Sequence, residues 1–308
     1  MHRVFIDGAA GTTGLEIRAR LEGRGEFELI LLDEARRKDG AARRAALHAA
    51  DIAILCLPDE AAKEAVRLAE GAATRIIDAS SAHRVAPGWV YGFAELVGRD
   101  AIANARFVSN PGCYPTGFLA LVAPLVRAGL IPADWPFTVH AVSGYSGGGT
   151  ALIARFEAEP DIAFRAYGLG LAHKHLPEMQ AHAGLARPPV FSPAVIPAHR
   201  GMVVEVPLAL AAIPGRPDPA ALHAALAAAY AQSPVVRLAP LGPAPAELLL
   251  SKSAAPWDGL DLHVFAAPDG TQARLVAVLD NLGKGASGAA IQNLNLMCGL
   301  PETAGLVL

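Results

Sequence analysis

The sequence predicts an α/β fold in two parts, a parallel-sheet domain followed by an α+β domain built on a mixed sheet. Over the first 110 residues, short apolar runs alternate with stretches of helical spacing, which is the pattern of right-handed βαβ units. A glycine-rich turn joins the first apolar run to the first helical stretch. Beyond residue 137 the strong signals are mostly strands, with fewer helices between them.

Length and composition are those of an ordinary two-domain protein. The chain has 308 residues, 53% of them hydrophobic, and its net charge of −3 provides no basic field for a nucleic-acid partner. The longest apolar runs, such as 118–126, are too short for a bilayer span, and the N-terminus lacks signal-peptide features. The three cysteines are widely spaced and indicate neither disulfides nor a zinc site. We expect a soluble cytoplasmic protein with no membrane contact and no metal.

In the first part, each predicted strand is a short apolar run that ends at a turn signal. Residues 51–57 are nearly all apolar, as expected of a strand buried on both faces of a parallel sheet. Strands are predicted over 3–7, 27–32, 51–57, 75–78 and 106–109, and helices over 12–22, 41–50 and 60–70.

The second part is dominated by strand signals. Strands are predicted over 137–145, 190–197, 202–210, 260–266 and 274–279, and helices over 150–158, 175–182, 219–232 and 286–298. The Pro- and Ala-rich stretch 240–256 is expected to be loop. We expect a first domain over 1–113 and a second over 114–285, with 286–308 returning to the first domain.

The first turn has the context of a dinucleotide-binding loop, because it follows a strand and opens a helix. Its candidate cofactor-binding residues are Gly8, Gly11, Thr12, Thr13 and Gly14. Glycines permit a close backbone approach, and the N–H groups at the start of the helix can face a pyrophosphate. The pattern predicts a Rossmann-type domain, although GxxGxxG also occurs in ordinary strand-to-helix turns.

The choice of nicotinamide cofactor depends on the end of the second strand. Asp33 and Glu34 are the kind of acid that holds the ribose hydroxyls of NAD. Three consecutive cations, Arg36, Arg37 and Lys38, are suited to the 2′-phosphate of NADP. We expect NADP, while a solvated basic loop remains the alternative.

Cys113 is the candidate nucleophile. It precedes an apolar helix predicted over 117–125, and a helix N-terminus favours a thiolate through its dipole and its N–H groups. The same N–H groups can stabilise an oxyanion on an attacked carbonyl. Cys56 and Cys298 lie in an apolar strand and an apolar helix, where small core residues are expected.

Several motifs occur together and in a characteristic order. They are the glycine turn, Asp78-x-Ser80-x-x-x-Arg84, Asn110-Pro-Gly-Cys-Tyr-Pro-Thr116, Tyr167, His173-Lys-His175-Leu-Pro-Glu178, Arg200-Gly-Met202, Asp280 to Gly288, and Gln292-Asn293. Together they resemble the N-acetyl-γ-glutamyl-phosphate reductase family, in its shorter form. Aspartate-semialdehyde dehydrogenases share the fold and the chemistry, but their cysteine usually follows asparagine directly.

The resemblance implies an NADPH-dependent reduction of an acyl phosphate through a thioester on Cys113, as a step of arginine biosynthesis. It places His173 in the acid–base role and His175 and Tyr167 near the substrate, with His199 as a competing base. The substrate carries a phosphate and a carboxylate, so the site needs cations such as Arg200.

The remaining expected contacts divide between substrate and cofactor. Residues 143–149 are expected to form a flexible glycine loop that wraps the substrate or its phosphate. Further substrate contacts are expected at Arg84, Asn110, Ser143 and Gly144, and further cofactor contacts at Leu57, Pro58, Ser80, Asn281 and Lys284.

Two alternatives of function stay open at this point. One is a reductase of another aminoacyl phosphate, of the aspartyl or aminoadipyl type. The other is a non-catalytic NADP-binding sensor that kept the fold, against which the intact set of cysteine and histidines argues. The partners implied are a small acyl phosphate, inorganic phosphate and further copies of the chain, as a homodimer or homotetramer.

Overall fold

A computed structural model describes all residues from 1 to 308, and the chain divides into two compact units. The first comprises residues 1–112 and 286–306, and the second comprises 113–285 and 307–308. The last two residues group with the second unit, where the Val307 N–H donates to the buried Asp258 Oδ2 at 2.8 Å.

The first unit is a parallel six-stranded sheet. Its elements are β1 (His2–Asp7), α1 (Thr12–Leu21), β2 (Phe27–Ile30), α2 (Gly40–Ala49), β3 (Ile52–Leu55), α3 (Asp59–Leu68), β4 (Arg75–Asp78), β5 (Val90–Tyr91), α4 (Ala94–Val97), α5 (Arg99–Ala103) and β6 (Phe107–Ser109). The strand order is β2-β1-β3-β4-β6-β5, and every pair is parallel. This confirms the predicted Rossmann-type fold.

Helices cover both faces of this sheet, which explains why its strands are apolar throughout. Successive residues of β1 point to opposite faces, so Val4 and Ile6 pack in one core and Phe5 in the other. Ile17 of α1 joins the first core, and Leu47 of α2 joins the second.

The second unit is built on a mixed seven-stranded sheet, as predicted. Its elements are α6 (Cys113–Arg127), β7 (Thr138–Gly144), a 3₁₀ turn (Tyr145–Gly148), α7 (Gly149–Ala158), β8 (Arg165–Ala166), α8 (Leu176–Ala183), β9 (Val190–Ile196), β10 (Met202–Leu208), a 3₁₀ turn (Leu210–Ala212), α9 (Pro219–Tyr230), β11 (Val236–Leu238), β12 (Leu260–Ala266), β13 (Ala273–Leu279) and a π-helical turn (Gly283–Ser287). The strand order is β11-β12-β13-β10-β7-β9-β8, with β7–β9 and β11–β12 parallel and the other pairs antiparallel.

One face of the second sheet is covered by α6. Gly117 allows the close approach, since a Cβ there would lie 2.8 Å from Val204 Cγ2 and 3.3 Å from Ala277 Cβ. The strands alternate buried residues, which face the helices, with half-exposed residues on the opposite face. We call that opposite side the open face; it includes His140, Val142, Val203, Glu205, His263, Phe265, Arg274 and Val278.

The last helix, α10 (Gly288–Met297), belongs to the first unit. Ile291 and Leu294 pack in the same core as Val4 and Ile6. The chain therefore leaves the first unit at Gly112 and rejoins it at Ala286.

One detail differs from the sequence-based expectations. Residues 143–149 are not a flexible loop, because Ser143 and Gly144 end β7, a 3₁₀ turn follows and α7 begins at Gly149. The N–H of Tyr145 donates to the Ala198 carbonyl at 2.8 Å and fixes this turn. Residues 240–256 contain no helix or strand, as predicted, and no helix of the chain is long and apolar enough to cross a bilayer.

Candidate active site

The turn between β1 and α1 can accept a ligand close to its backbone. A Cβ on Gly8, whose φ is +90°, would overlap the carbonyl of Cys56, and one on Gly14 would overlap the carbonyl of Gly8. Gly11 stands at the N-cap of α1 and offers no side chain to its N–H groups. The hydroxyl of Thr12 is buried without a hydrogen-bond partner. An orphaned hydroxyl at an uncapped helix start fits a bound pyrophosphate.

A buried ion pair that the sequence did not reveal supports this turn. Asp7, the last residue of β1, lies 2.9 Å from the Arg43 guanidinium, and Arg43 also contacts Glu64 at 2.9 Å. Burial, the largest effect on Asp7, raises the pKa of its carboxyl despite the Arg43 contact. The partners are 36 residues apart and follow no motif, so only the folded chain identifies them.

The candidate cofactor residues beyond β2 and β3 lie at the surface. Arg36, Arg37 and Lys38 are exposed, and Arg37 pairs with Glu34 at 2.8 Å. Leu57 is half-buried beside Gly8, and Pro58 is the N-cap residue of α3.

The loop after β4 is held by its own polar groups. The hydroxyl of Ser80 donates to Asp78 Oδ2 at 2.7 Å. Arg84 is buried and donates to the carbonyls of Asn110 at 3.0 Å and Ala79 at 3.3 Å. These contacts tie the segment after β4 to the segment after β6.

The side chain of Asn110 is also engaged within the first unit. Its Nδ2 donates to the Ala286 carbonyl at 2.9 Å, and its Oδ1 accepts from Asn293 Nδ2 at 3.1 Å. Asn110 is 1% exposed, and its two hydrogen bonds hold the loop that follows β6 and leads to Cys113.

Cys113 is the first residue of α6, which confirms its predicted place at a helix N-terminus. The π-helical turn lies against it, because a Cβ on Gly285 would stand 2.8 Å from Cys113 Cβ. Burial raises the pKa of the other two thiols, Cys56 to about 12 and Cys298 to about 11, so both stay protonated at neutral pH.

Five aromatic rings form a cluster that begins at the residue after Cys113. They belong to Tyr114, Tyr167, His173, His175 and Phe191, with centroid distances between 4.7 Å for His173–His175 and 6.1 Å for Tyr114–His173. Burial raises the pKa of Tyr167 to about 12, so its phenol is neutral. His199 lies elsewhere, with its ring against Tyr145 at 5.5 Å.

The two histidines of the cluster differ in their surroundings. The Nδ1 of His173 accepts the backbone N–H of His175 at 3.1 Å, so the neutral ring carries its proton on Nε2. Burial, followed by the charge of Lys174, lowers the pKa of His173 to about 4. His175 is buried, with its Nε2 3.9 Å from Glu178 Oε1. His175 is the N-cap residue of α8 and Glu178 lies in its first turn, so their i,i+3 spacing in the sequence predicts that the two side chains are close.

A second group of polar residues surrounds the loop before β10. Arg200 is 8% exposed and donates from Nη1 to Asp280 Oδ2 at 2.9 Å. The side chain of Asn281 accepts the Gly201 N–H and donates to the Ser146 hydroxyl, both at 2.9 Å. Lys284 and Ser143 are each 2% exposed.

Comparisons with known proteins cover nearly the whole chain and agree with one another. The family model "Semialdehyde dehydrogenase, NAD binding domain" matches residues 3–105, and "Semialdehyde dehydrogenase, dimerisation domain" matches residues 113–281. Curated N-acetyl-gamma-glutamyl-phosphate reductases from Brucella ovis and Brucella canis are 54% identical over 306 residues, covering 96% of this chain and 99% of theirs. The chain belongs to the N-acetyl-gamma-glutamyl-phosphate reductase family.

Solved structures support the fold of this family member. Aspartate semialdehyde dehydrogenase II from Vibrio cholerae, complexed with ASA, has a TM-score of 0.70 at 17% identity, covering 97% of this chain and 98% of that one. The enzyme from Francisella tularensis has a TM-score of 0.70 at 13% identity, covering 97% and 100%. The resemblance predicted from the motifs is confirmed, and the chain is an oxidoreductase with a nucleotide-binding domain.

For a member of the reductase family, each unit contributes a distinct set of groups. The first unit has the glycine turn, where Gly8 and Gly14 leave no room for a side chain and the buried Thr12 hydroxyl has no hydrogen-bond partner. Both features fit a nicotinamide dinucleotide. The second unit has a thiol at a helix N-terminus, neutral histidine and tyrosine side chains, and a buried arginine. A nucleophile, proton-transfer groups and an anion-binding cation are the parts that acyl transfer requires.

Proposed function

We propose that this protein reduces N-acetyl-L-glutamyl 5-phosphate to N-acetyl-L-glutamate 5-semialdehyde and phosphate, with NADPH, in arginine biosynthesis. The observation that carries this proposal is the position of Cys113 at the start of α6, immediately before the first ring of the Tyr114–His173–His175 cluster. Its 54% identity to curated reductases over nearly the whole chain supports the choice of substrate.

Cys113 forms the covalent intermediate. Its thiolate attacks the γ-acyl carbon, a C–S bond forms, and the bond from carbon to the phosphate oxygen breaks as phosphate leaves. The first N–H groups of α6 favour the thiolate and the oxyanion that forms during attack. A dinucleotide held at the glycine turn of residues 8–14 would supply the hydride that reduces the thioester. The C–S bond of the resulting thiohemiacetal then breaks, which releases the aldehyde and returns the thiol of Cys113.

We assign the proton transfers to His173, with His175 and Tyr167 beside the substrate. Because the neutral His173 ring carries its proton on Nε2, it is set to donate to an oxygen that gains negative charge. The thiol proton needs an acceptor, and His175, near Glu178, is the competing candidate for that step. Comparing His173→Asn with His175→Asn decides between them, since loss of the acid–base group slows turnover roughly 10²-fold or more.

The anionic substrate needs a cation, and we propose Arg200 for its phosphate group. Arg84, Asn110, Ser143 and Gly144 complete the proposed substrate set. The bonds that Arg84 and Asn110 make to loop carbonyls support an indirect part for them, in shaping the site.

NADP is the proposed cofactor because three exposed cations follow β2. Replacing Arg36, Arg37 and Lys38 together by alanine should raise KM for NADP while KM for NAD changes little. Equal effects on both cofactors would contradict this assignment. Leu57, Pro58, Ser80, Asn281 and Lys284 are proposed as further contacts to the cofactor.

We also propose that the protein is a homodimer, or a homotetramer built from such dimers, in the cytoplasm. The open face of the second sheet is half-exposed although it carries Val142, Val203 and Val278, and the matching family model is described as a dimerisation domain. Three free cysteines suit a reducing compartment.

The reverse reaction tests the function directly. Wild-type protein and Cys113→Ala receive N-acetylglutamate semialdehyde, phosphate and NADP, and the absorbance of NADPH is followed. Phosphate-dependent reduction of NADP by the wild type alone supports the proposal. Activity with aspartate semialdehyde instead would assign another aminoacyl phosphate, and silence with every aldehyde despite tight NADP binding would indicate a sensor.

A further inference from the structure

Asp280, at the end of β13, gathers donors from three segments of the second unit. The residue is buried, with 3% of its surface exposed. Oδ2 accepts from Arg200 Nη1 at 2.9 Å and from the Trp257 N–H at 3.3 Å, and Oδ1 accepts the Leu282 N–H at 2.9 Å. A carboxylate with donors on both oxygens holds each of them in a defined direction.

The backbone directly after Arg200 is held separately. Asn281 Oδ1 accepts the Gly201 N–H at 2.9 Å, and the Gly144 N–H donates to the Gly201 carbonyl at 2.8 Å. These contacts fix where the Arg200 side chain starts, while the carboxylate of Asp280 holds the guanidinium at its far end.

The same residue is linked to the turn at Cys113. The N–H of Gly285 donates to the Asp280 carbonyl at 3.0 Å, and Gly285 lies against Cys113. Asp280 therefore contacts the buried Arg200 through its side chain, and through its carbonyl it contacts the turn that lies against Cys113.

We propose that Asp280 is a positioning residue, which fixes the Arg200 guanidinium so that a phosphate group binds beside Cys113. The identity of the anion rests on the proposed function, while the orientation of the guanidinium rests on the contacts above. An arginine held in one rotamer loses little conformational freedom when an anion binds, whereas an untethered one must be ordered at that moment.

Steady-state kinetics of the reverse reaction separate positioning from a general structural role. The variants are Asp280→Asn, Asp280→Glu, Arg200→Lys and the double variant Asp280→Asn/Arg200→Lys. Asparagine has the same shape as aspartate, but one of its two terminal atoms is an NH2 group. Because both oxygens of Asp280 accept hydrogen bonds, this NH2 group must face a donor in the variant. We expect Asp280→Asn to raise KM for phosphate on the order of tenfold to a hundredfold, with KM for NADP within about threefold and partial recovery in Asp280→Glu.

The double variant and a matched control complete the kinetic experiment. If Asp280 acts through Arg200, adding Asp280→Asn to Arg200→Lys changes KM for phosphate little further. Asp258→Asn removes another fully buried carboxylate of the same unit and should lower the thermal midpoint without a selective change in phosphate KM. The proposal would be overturned if Asp280→Asn raised KM for phosphate by the same factor in the wild type and in Arg200→Lys. A lowered KM for phosphate in Asp280→Asn would also overturn it.

Alkylation of Cys113 gives a readout that needs no turnover, with Cys113→Ala as the blank for the other thiols. Iodoacetate is anionic and iodoacetamide is neutral, so the ratio of their rates reports whether a cation lies near the thiol. We expect Asp280→Asn and Arg200→Lys to lower this ratio to a similar value, with a weaker protection by inorganic phosphate. An unchanged or raised ratio in Asp280→Asn overturns the positioning role. If the wild type turns over no aldehyde, the proposed function fails, but this ratio still decides the role of Asp280.

Discussion

Among single residues, His173 has the environment with the clearest consequence for pH. Its pKa is about 4 in the folded chain against an ordinary 6.5, because burial and then Lys174 disfavour the charged ring. The folded state therefore binds fewer protons than the unfolded state between these values. The stabilising effect of the neutral ring is complete above pH 6.5 and is lost as the pH falls toward 4. We expect the thermal midpoint of the wild type to fall more steeply over this window than that of His173→Asn.

Lys174→Met provides the control for this prediction. Removing the charge beside the ring raises the pKa of His173 toward its ordinary value, so the fall in midpoint should become shallower without disappearing. If the wild type and His173→Asn show the same profile between pH 6.5 and 4, the histidine is not held neutral by its surroundings.

Gly285 is the residue at which the addition of a single methyl group should affect Cys113, the proposed nucleophile. A Cβ there would stand 2.8 Å from Cys113 Cβ and 3.1 Å from the Asp280 carbonyl oxygen, so Gly285→Ala must shift the turn or the cysteine. Displacement of a reacting group by about 1 Å can cost about 10²-fold in rate. We expect kcat to fall by that order while NADP binding is retained. Gly242→Ala, where a Cβ meets open space, is the matched control and should leave kcat unchanged.

At the scale of elements, the turn between β1 and α1 can be tested by binding alone. A Cβ on Gly14 would overlap the Gly8 carbonyl and press on the Ala9 Cα, which would move the N–H groups proposed to bind the cofactor. Restoring the original positions of these N–H groups would then cost about 1 kcal/mol or more, so Gly14→Ala should weaken NADP binding by about tenfold in a fluorescence titration. Gly25→Ala serves as control, since nothing lies within 4 Å of its Cβ position. Unchanged affinity in Gly14→Ala would remove the cofactor from this turn.

Local patterns predicted most elements of this chain, and the failures have physical causes. The apolar run at 51–57 predicted β3, and the Pro-Gly-Cys sequence predicted a helix N-terminus at Cys113. The two-residue strands β5 and β8 carry too few residues for any periodicity. Residues 143–149 looked like loop because glycines dominate, but bonds to Ala198 and Asn281 order them, and those partners are distant in sequence.

Site residues follow the same division between local signals and tertiary contacts. Motifs predict Cys113, His173 and Arg200 as site residues, and their roles stay predictions. The ion partners Asp7 of Arg43 and Asp280 of Arg200 were not assigned, since separations of 36 and 80 residues carry no local signal. The role of a charged residue depends on the partners that folding places beside it. When those partners are distant in sequence, composition and motif spacing do not identify them.

For the whole molecule, the proposed assembly can be tested at the open face of the second sheet. Val203 lies in register with Val142 on one side and Val278 on the other, which gives an apolar row across the middle of the sheet. The Glu205–Arg274 ion pair at 2.7 Å lies near this row on β10 and β13, a mixture of apolar and paired charged groups that suits an interface between copies. A lone chain would leave these valines half-exposed.

Val203→Glu places an unpaired charge in the middle of this row. Light scattering after gel filtration should show a dimer or tetramer for the wild type and a monomer for the variant, because an unpaired carboxylate in a buried interface is strongly unfavourable. Leu249→Glu, on an exposed residue of the 240–256 loop, is the control and should keep the wild-type mass. A wild type that runs as a monomer, or a Val203→Glu variant that keeps its mass, would place the contacts between copies elsewhere on the chain.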